Sequence, residues 1–356
     1  MKHLLPLLLV LSCTSGETFD RAAMLESLGD EVMLSTFGEL EERTGELEAA
    51  ASAFCAAPDE ITLESTREAF RRAKEPLKRA EVFALGPYTD SPLRLGAELD
   101  LWPGRPATVD DRLTSGEAVT EEALVTAGGY AKGFPALDHL LFAYELDALS
   151  EGRACAYLQG LAQYIHTVAE QLLEAWAPTG GDFVGEWVRG EGDFPSVQQS
   201  ASVLVEQLLF TLENVRELKL GKPLGKRDGG VVQPDAIEAP ASHRSLADAR
   251  DAIRGVEAVW RGDLEGSSPM GPQPAIGVRD WLLARRPTLA PEVDAAFDAA
   301  HAAYDAVPGP LGTAILDAPE LVNDFYLAVR DLQVLFAVDI AQALGVTVTF
   351  NPTDGD

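Results

Sequence analysis

The hydrophobic positions of this chain recur with the period of an α-helix along most of its length. In the clearest segment, Leu137, Leu140 and Tyr144 fall at i, i+3 and i+7 and form one apolar face. Pro135 suits the first turn of that helix, where its missing N–H would have no partner anyway. The pattern therefore predicts a largely buried helix that begins at Pro135.

The same period, interrupted by glycines and prolines, divides the chain into two sets of helices. We predict an all-α protein with two four-helix-bundle-like halves, residues 21–220 and 242–356. The linker between them, residues 221–241, is rich in Gly, Pro and Lys, and its glycines and prolines interrupt a helix. The predicted helices are residues 21–37, 39–54, 65–85, 154–176, 196–220, 245–261, 278–285, 291–307 and 316–344.

The first twelve residues have the pattern of a secretory signal peptide. A lysine precedes an apolar run, residues 4–11, that is too short to span a bilayer. The run ends at Cys13 and resembles a bacterial lipobox, in which the cysteine is lipidated; Thr14 then implies sorting to the outer membrane. We expect a polar tether at residues 13–20 and a cell-envelope lipoprotein held by its lipid alone, on the periplasmic face or at the cell surface. A plain cleaved signal with an incidental cysteine is the alternative.

Net charge and cysteine content narrow the range of possible partners and metal sites. The net charge of −29 at pH 7 argues against nucleic acid as a partner. It also raises the local concentration of cations, which suits a metal-handling protein, although solubility alone accounts for it as well. Cys55 and Cys155 are the remaining cysteines, and in an oxidising compartment they could form a disulfide; two separate buried thiols are the alternative. Neither has a zinc-type spacing.

Two polar residues, Asp138 and His139, interrupt the buried helix. A buried carboxylate needs a hydrogen bond, a cation or a metal, so this pair is a candidate metal site. His166, on the next long helix, is the first residue that could join it. Alternatively, Asp138 caps the helix and His139 is a core histidine bonded to a backbone carbonyl. The sequence contains no HExxH, no G-x-S-x-G and no dinucleotide fingerprint after a strand.

Several blocks together resemble the imelysin family, and the resemblance covers residues 19–356. The blocks are the helix 66–81 with Gly86-Pro87, the loop Leu101-Trp102-Pro103, residues 133–142, residues 220–225 with Glu238 and residues 242–246, and the ending 344–356. The resemblance implies an all-α protein of two bundle-like halves, secreted or lipid-anchored, associated with bacterial iron acquisition and historically classed with metallopeptidases.

The metal motif proposed for that family is G-x-H-x-x-E. Gly133 matches its glycine, but Pro135 stands at the histidine position and Asp138 at the glutamate position. Proline offers no donor atom, so a site of this type keeps one carboxylate unless His139 supplies a nitrogen. Successive helix residues point about a quarter turn apart, which makes joint ligation awkward. The departure argues against peptidase activity and against tight metal binding through this motif.

The resemblance also suggests a ligand pocket between the two halves. The residues it assigns there are Asp100, Trp102, Gly133, Asp138, His139, Glu238 and Ser242, with Asp138 and His139 as the candidate metal ligands. We expect a non-catalytic binding protein for iron, another divalent metal or a small iron-related ligand, with uptake proteins of the outer membrane or periplasm as partners. A metal-dependent peptidase of the imelysin class and an envelope interaction module for an outer-membrane receptor are the alternatives.

Overall fold

The computed structural model describes residues 19–264 and 276–347. The predicted signal peptide, Cys13 and most of the predicted tether lie outside the described residues. Within those ranges the chain forms helices and no strand, which confirms the all-α prediction. No helix in this part of the chain is long and apolar enough to cross a membrane.

The helices before the predicted linker vary from five to 25 residues. They are α1 (Arg21–Leu28), α2 (Ser35–Ala56), α3 (Glu60–Arg79), α4 (Leu95–Leu99), α5 (Pro106–Thr114), α6 (Glu121–Val125), α7 (Gly133–Ala143), α8 (Leu146–Ser150), α9 (Gly152–Trp176), α10 (Phe183–Arg189) and α11 (Val197–Asn214).

The helices after the linker are α12 (Ser245–Arg261), α13 (Val278–Arg285), α14 (Ala290–Asp305), α15 (Leu311–Asp317), α16 (Pro319–Val334) and α17 (Ala341–Leu344). Three π-helical segments extend or join longer helices: Gly29–Leu34, Val215–Gly221 and Leu335–Ile340. Short 3-10 turns lie at Ala80–Phe83, Gly86–Tyr88, Gly129–Ala131 and Pro234–Ala236.

Helices α2, α3, α7 and α9 form the first helical group. The ring of Phe70 on α3 packs against Phe134 and Phe142 on α7, with centroids 5.6 and 5.3 Å apart. A disulfide between Cys55 and Cys155 joins the end of α2 to the start of α9, with a Cα–Cα distance of 5.6 Å. Aromatic packing and a covalent link therefore hold this group together.

Helices α11, α12, α14 and α16 form the second group, in which each helix packs against two others. Its centre contains Trp260, Phe297 and Phe336. The ring of Phe336 lies 5.9 Å from that of Trp260 and 6.2 Å from that of Phe297, both nearly edge to face. This arrangement suits aromatic rings, whose faces are negative and whose edges are positive.

The two groups share one continuous apolar core. They pack closely where α3 meets α12, since a Cβ on Gly255 would lie 2.2 Å from the carbonyl oxygen of Arg79. Glycine is therefore required for this packing. At the amino-terminal end, Phe19 stacks on Trp281 with centroids 6.3 Å apart. One face of α3 is consequently buried between the groups, and that face carries the polar residues of the site.

The observed helix ends differ from the predicted ones where capping or backbone breaks override the apolar period. Helix α3 begins at Glu60 and not at residue 65, because Asp59 and Thr62 form a capping box ahead of it. The helix predicted at 316–344 begins later than expected, at Pro319, because the chain breaks at Ala318, between α15 and α16. Gly345, in a left-handed conformation, ends α17 as predicted.

The serines at the start of α12, Ser242 and Ser245, do not cap it. Arg244 precedes the first turn of α12 and provides no side-chain cap. The hydroxyl of Ser245 instead accepts a hydrogen bond from the backbone N–H of Ala239, 3.0 Å away. This serine therefore fixes the preceding loop, which carries Glu238.

Candidate functional site

A cavity of about 330 Å³ lies between α3 with its 3-10 extension, α4, and the π-helical end of α11. Its wall is largely apolar and its floor is charged. The lining residues are Lys78, Glu81, Ala84, Tyr88, Gly96, Ala97, Asp100, Leu101, Trp102, Asn214, Leu218, Lys219 and Glu238. The volume falls within the range of about 300–1,000 Å³ that is usual for small-molecule sites.

Helix α3 brings two lysines to this region. Lys74 and Lys78 follow Phe70 at i+4 and i+8, so all three share the buried face of the helix. The lysines are only 3% and 1% exposed. By contrast, Arg71 lies on the outer face and pairs with Glu64 at 2.7 Å. The basic residues of α3 therefore belong to two populations, one at the surface and one in the interior.

Lys78 lies among three carboxylates that come from different segments of the chain. Its ammonium is 2.6 Å from Asp100 and 2.8 Å from Glu81, and it also contacts Glu238. Lys219 completes the group, 2.6 Å from Glu238 and 2.9 Å from Glu81. We call Lys78, Lys219, Glu81, Asp100 and Glu238 the Lys78 cluster.

Further buried charges lie beside the Lys78 cluster. Lys74 is 3.1 Å from Asp100 and 3.4 Å from Asp248, which is fully buried on α12. Arg244 pairs with Asp248 at 3.0 Å and with Asp251 at 2.7 Å. The network thus crosses from α3 to α12. Around the cavity, three lysines face four carboxylates.

The charges of this network shift the pKa values of its members. Burial lowers the pKa of Lys78, but Asp100, Glu238 and Glu81 outweigh it and hold that pKa well above its usual value. Burial raises the pKa of Glu238, yet Lys219 and Lys78 hold it well below its usual value. The pKa of Asp100 is lowered in the same way by Lys74 and Lys78. Each pair therefore remains ionised at neutral pH.

Trp102 forms part of the cavity wall, two residues after Asp100. The ammonium of Lys222, in the predicted linker, lies 4.8 Å from the centre of its ring. This distance is typical of a cation–π contact. The contact connects the loop after α4 with the linker, so both segments border the same cavity.

Gly133 fixes the position of the segment that carries Asp100. Its φ of +73° favours glycine, and a Cβ there would lie 2.5 Å from the carbonyl oxygen of Leu99. The start of α7 can therefore approach the end of α4 closely. Gly133 acts through the backbone of Leu99 and does not line the cavity.

Asp138 fixes the segment that follows Glu238. Its two carboxylate oxygens accept hydrogen bonds from the backbone N–H groups of Ala241 and Ser242, each at 3.3 Å. Burial raises the pKa of Asp138, and hydrogen bonds from Ser242 oppose that rise. Asp138 caps this loop and not its own helix, contrary to the capping alternative.

His139 points elsewhere. Its Nε2 lies 2.7 Å from a carboxylate oxygen of Asp110, and its ring packs edge-on against Tyr144. It is therefore not bonded to a backbone carbonyl, the partner that the second interpretation gave it. Asp138 and His139 face different partners and do not converge on one position, so a metal shared by the pair stays a prediction.

The structure thus divides the predicted site residues into three groups. Asp100, Trp102 and Glu238 line the cavity. Gly133, Asp138 and Ser242 hold the two segments that supply those residues. His139 contacts α5 through Asp110. Sequence reasoning missed three lysines and a glutamate, and the available signal was the i, i+4, i+8 line that continues from Phe70 through α3. The missed residues are Lys74, Lys78, Lys219 and Glu81.

The Lys78 cluster has the oxygen donors that a divalent cation prefers, but those oxygens already have cationic partners. Oxygens of Glu81, Asp100 and Glu238 lie within 4.8 Å of one another. The ammonium groups of Lys78 and Lys219 already pair with all three carboxylates, and they would repel an added metal ion. A resident metal therefore does not fit the Lys78 cluster while its lysines are charged.

The fold and the site define an all-α protein in which two helical groups border a ligand-sized cavity with buried ion pairs in its floor. The imelysin family model matches residues 33–335 of the sequence. This chain belongs to the imelysin family, as the sequence blocks indicated.

Similar proteins agree with this assignment. Iron-regulated protein A of Synechococcus elongatus is 26% identical over 315 residues, which cover 85% of this chain and 80% of that protein. Two solved structures share the fold at 19% identity, each covering 93% of this chain and 97% of its own. They are an iron-regulated protein A precursor from Parabacteroides distasonis (TM-score 0.77) and an imelysin-like protein from Psychrobacter arcticum (TM-score 0.74).

Proposed function

We propose that this protein is a non-catalytic binding protein that acts in iron acquisition and binds a small iron-related ligand in the cavity beside Trp102. The observation that carries the proposal is the cavity itself, which has an aromatic wall and an ionised floor. The name of the Synechococcus relative, iron-regulated protein A, supports the link to iron. Partners in this role are uptake proteins of the outer membrane or periplasm.

The charge of the floor indicates the kind of ligand. The Lys78 cluster contains three carboxylates and two ammonium groups, so it carries one surplus negative charge. Such a floor favours a neutral or positively charged guest over an anion. The apolar wall formed by Trp102, Leu101 and Leu218 suits an organic body. A small iron complex has both properties, whereas a bare cation would meet the two ammonium groups.

The test is titration of the full chain with ferric tris(maltolate), a small neutral iron complex, and with iron-free maltol as the chelator. We expect the iron complex to bind and the chelator to bind weakly or not at all. Trp102→Ala should weaken binding roughly ten-fold or more, because a stacking contact contributes about 1 kcal/mol beyond buried area. The control is Lys226→Met, which removes an exposed lysine from the same linker.

Two outcomes would overturn this proposal in different ways. Equal affinity of Trp102→Ala and the parent protein for the iron complex would show that the complex does not bind in the cavity. Absence of binding to any iron complex would remove the iron role. Metal-dependent cleavage of a peptide library by the purified protein, lost on chelation, would favour the peptidase alternative instead.

We further propose that Cys13 anchors the protein to the outer membrane by its lipid. The lipobox pattern and the polar residues that follow it support this localisation. The full chain expressed in a bacterium should partition into detergent and incorporate labelled palmitate, and Cys13→Ser should do neither. Detergent partition that survives this substitution would contradict the anchor.

A further inference from the structure

A second group of ligand-type side chains lies away from the cavity, between α2 and α9. It consists of Glu41 on α2 with His166 and Glu170 on α9, and one donor atom from each lies within 4.8 Å of the others. His166 and Glu170 are separated by four residues, so they share one face of α9. We call these three residues the His166 cluster. It contains the histidine that was expected to join His139, but its partners are different.

The surroundings of His166 determine which ring nitrogen is free. Thr44 is fully buried, and its hydroxyl lies 2.9 Å from the carbonyl oxygens of both Leu40 and Glu41. A hydroxyl has one proton, which these carbonyls take, so its oxygen is left to accept. His166 Nδ1 lies 3.2 Å from that oxygen and must donate to it. The lone pair of neutral His166 is therefore on Nε2.

A partner that holds one ring nitrogen in this way is what orients a metal-binding histidine. Here Nε2 faces Glu170, whose carboxylate oxygen is 3.7 Å away. Two ligands bound tetrahedrally to Zn²⁺ at about 2.0–2.1 Å lie roughly 3.3–3.4 Å apart. A shift of a few tenths of an ångström would therefore bring this pair to ligand spacing.

Helix α2 packs against the ring of His166 and supplies the third donor. Gly45 faces the imidazole, and a Cβ there would lie 3.2 Å from Cε1, so the ring packs directly against the helix. The carboxylate of Glu41 has no hydrogen bond or ion pair within residues 19–264 and 276–347. No lysine or arginine of those ranges pairs with Glu170 either. This cluster thus lacks the ammonium groups that neutralise the Lys78 cluster.

We propose that Glu41, His166 and Glu170 bind a first-row divalent cation of the Zn²⁺ type and so join α2 to α9. Two carboxylates and a neutral imidazole balance the charge of the ion. Glu170 is exposed, so water can reach the remaining coordination position. The site is separate from the cavity and from the Gly133–Asp138 segment, since it shares no residue with either.

The test uses the full chain, freed of metal, with Zn²⁺ titrated calorimetrically and Co²⁺ followed by its visible absorption. We expect one ion per chain and a rise in melting temperature. Glu170→Gln and His166→Gln should each weaken Zn²⁺ binding at least 30-fold. The matched controls are Glu42→Gln, next to Glu41, and Glu174→Gln, one turn beyond Glu170; both remove a charge from the same helices and should bind as the parent does.

Glu170→Gln decides the question if His166→Gln does not fold, because Glu170 is exposed. Equal Zn²⁺ affinity in Glu170→Gln and the parent would overturn the proposal. Equal losses in Glu170→Gln and Glu174→Gln would also overturn it, because they would indicate diffuse attraction by negative charge. Thr44→Val tests the histidine orientation, and we expect about a ten-fold loss of affinity with unchanged stoichiometry.

Discussion

The Lys78 cluster and the His166 cluster each bring three metal-ligating side chains within 4.8 Å, yet their surroundings differ. In the Lys78 cluster, lysines from α3 and from the end of α11 contact every carboxylate. In the His166 cluster, α2 and α9 supply no cationic side chain. The same class of donors is therefore paired with lysines in the Lys78 cluster, whereas in the His166 cluster it is available to an external cation.

Burial accounts for this difference. Asp100 and Glu238 have side chains only 8% and 11% exposed, so their charges need a partner that is present as soon as the chain folds. Glu170 has a side chain 57% exposed, so water stabilises its charge. A cluster of acids in a protein interior is thus weak evidence for a metal, whereas a half-exposed one with an oriented histidine is stronger evidence.

The largest effect is expected from Lys78→Met. This change removes one ammonium from three carboxylates, two of them nearly buried, and breaking a buried ion pair from one side costs about 3–5 kcal/mol. Urea unfolding should show the loss. Lys226→Met, at an exposed lysine that contacts Asn323, should change stability by less than about 1 kcal/mol.

Lys78→Met also tests whether the lysine prevents metal binding in the Lys78 cluster. If the absent ammonium is what separates the two clusters, Mn²⁺ or Zn²⁺ should restore part of the lost stability in this variant through the freed carboxylates. A stability equal to that of Lys226→Met would show that Lys78 does not neutralise the cavity floor.

The next largest effect is expected from a glutamate-to-glutamine substitution, made once in each cluster. Glu238→Gln removes the surplus negative charge but weakens hydrogen bonds to two lysines, so we expect a loss of about 1–3 kcal/mol. Glu170→Gln, at an exposed position, should alter the stability of metal-free protein by no more than about 0.5 kcal/mol. Chemical denaturation of both variants without metal measures the difference. Similar changes in unfolding free energy would show that burial does not distinguish the Lys78 cluster from the His166 cluster.

Acidification should reduce the stability that the Lys78 cluster gives to the folded protein. The pKa values of Asp100 and Glu238 are lower in the folded state than in the unfolded chain. Their stabilisation is therefore fully present above the unfolded values, 3.8 and 4.5, and is lost as pH falls through the folded values. We expect a loss on the order of 2 kcal/mol below about pH 4.5, read from urea midpoints. In Lys219→Met the dependence on pH should be shallower, and an identical slope would contradict this origin.

The smallest effect is expected from Gly45→Ala in α2. Alanine should favour the helix by about 0.5–1 kcal/mol, partly offset by its contact with the ring of His166. Melting temperature without metal should change little, while Zn²⁺ affinity should fall because the imidazole is displaced. Gly38→Ala, where a Cβ meets nothing within 4 Å, is the control. Unchanged Zn²⁺ affinity in Gly45→Ala would argue against His166 as a ligand.

The fold class could be predicted from sequence because helical periodicity and capping are local properties. Helices α12 and α13 begin and end where the apolar pattern places them. The predicted boundaries were wrong where side-chain hydrogen bonds and not the apolar pattern determine the helix end, as at the capping box of Asp59 and Thr62. The break at Ala318 was missed because the apolar period resumes soon after it, at Leu321, although Pro319 marks the break.

The site was less predictable because it depends on which helices meet. The resemblance selected Asp100, Trp102 and Glu238, which the fold brings to one cavity. The lysines of α3 were not assigned to the site, because nothing near them in the sequence shows that α12 covers them. Likewise, the partner of His166 could not be known before α2 was seen to pack against α9.

The shared core has a consequence for synthesis of the chain on the ribosome. Phe19 lies at the beginning of the described chain and stacks on Trp281, which is made about 260 residues later. At about 5–20 residues per second, this surface waits for roughly tens of seconds before its partner emerges. During that interval the nascent protein exposes apolar side chains, and it is then that a chaperone would have the most to cover.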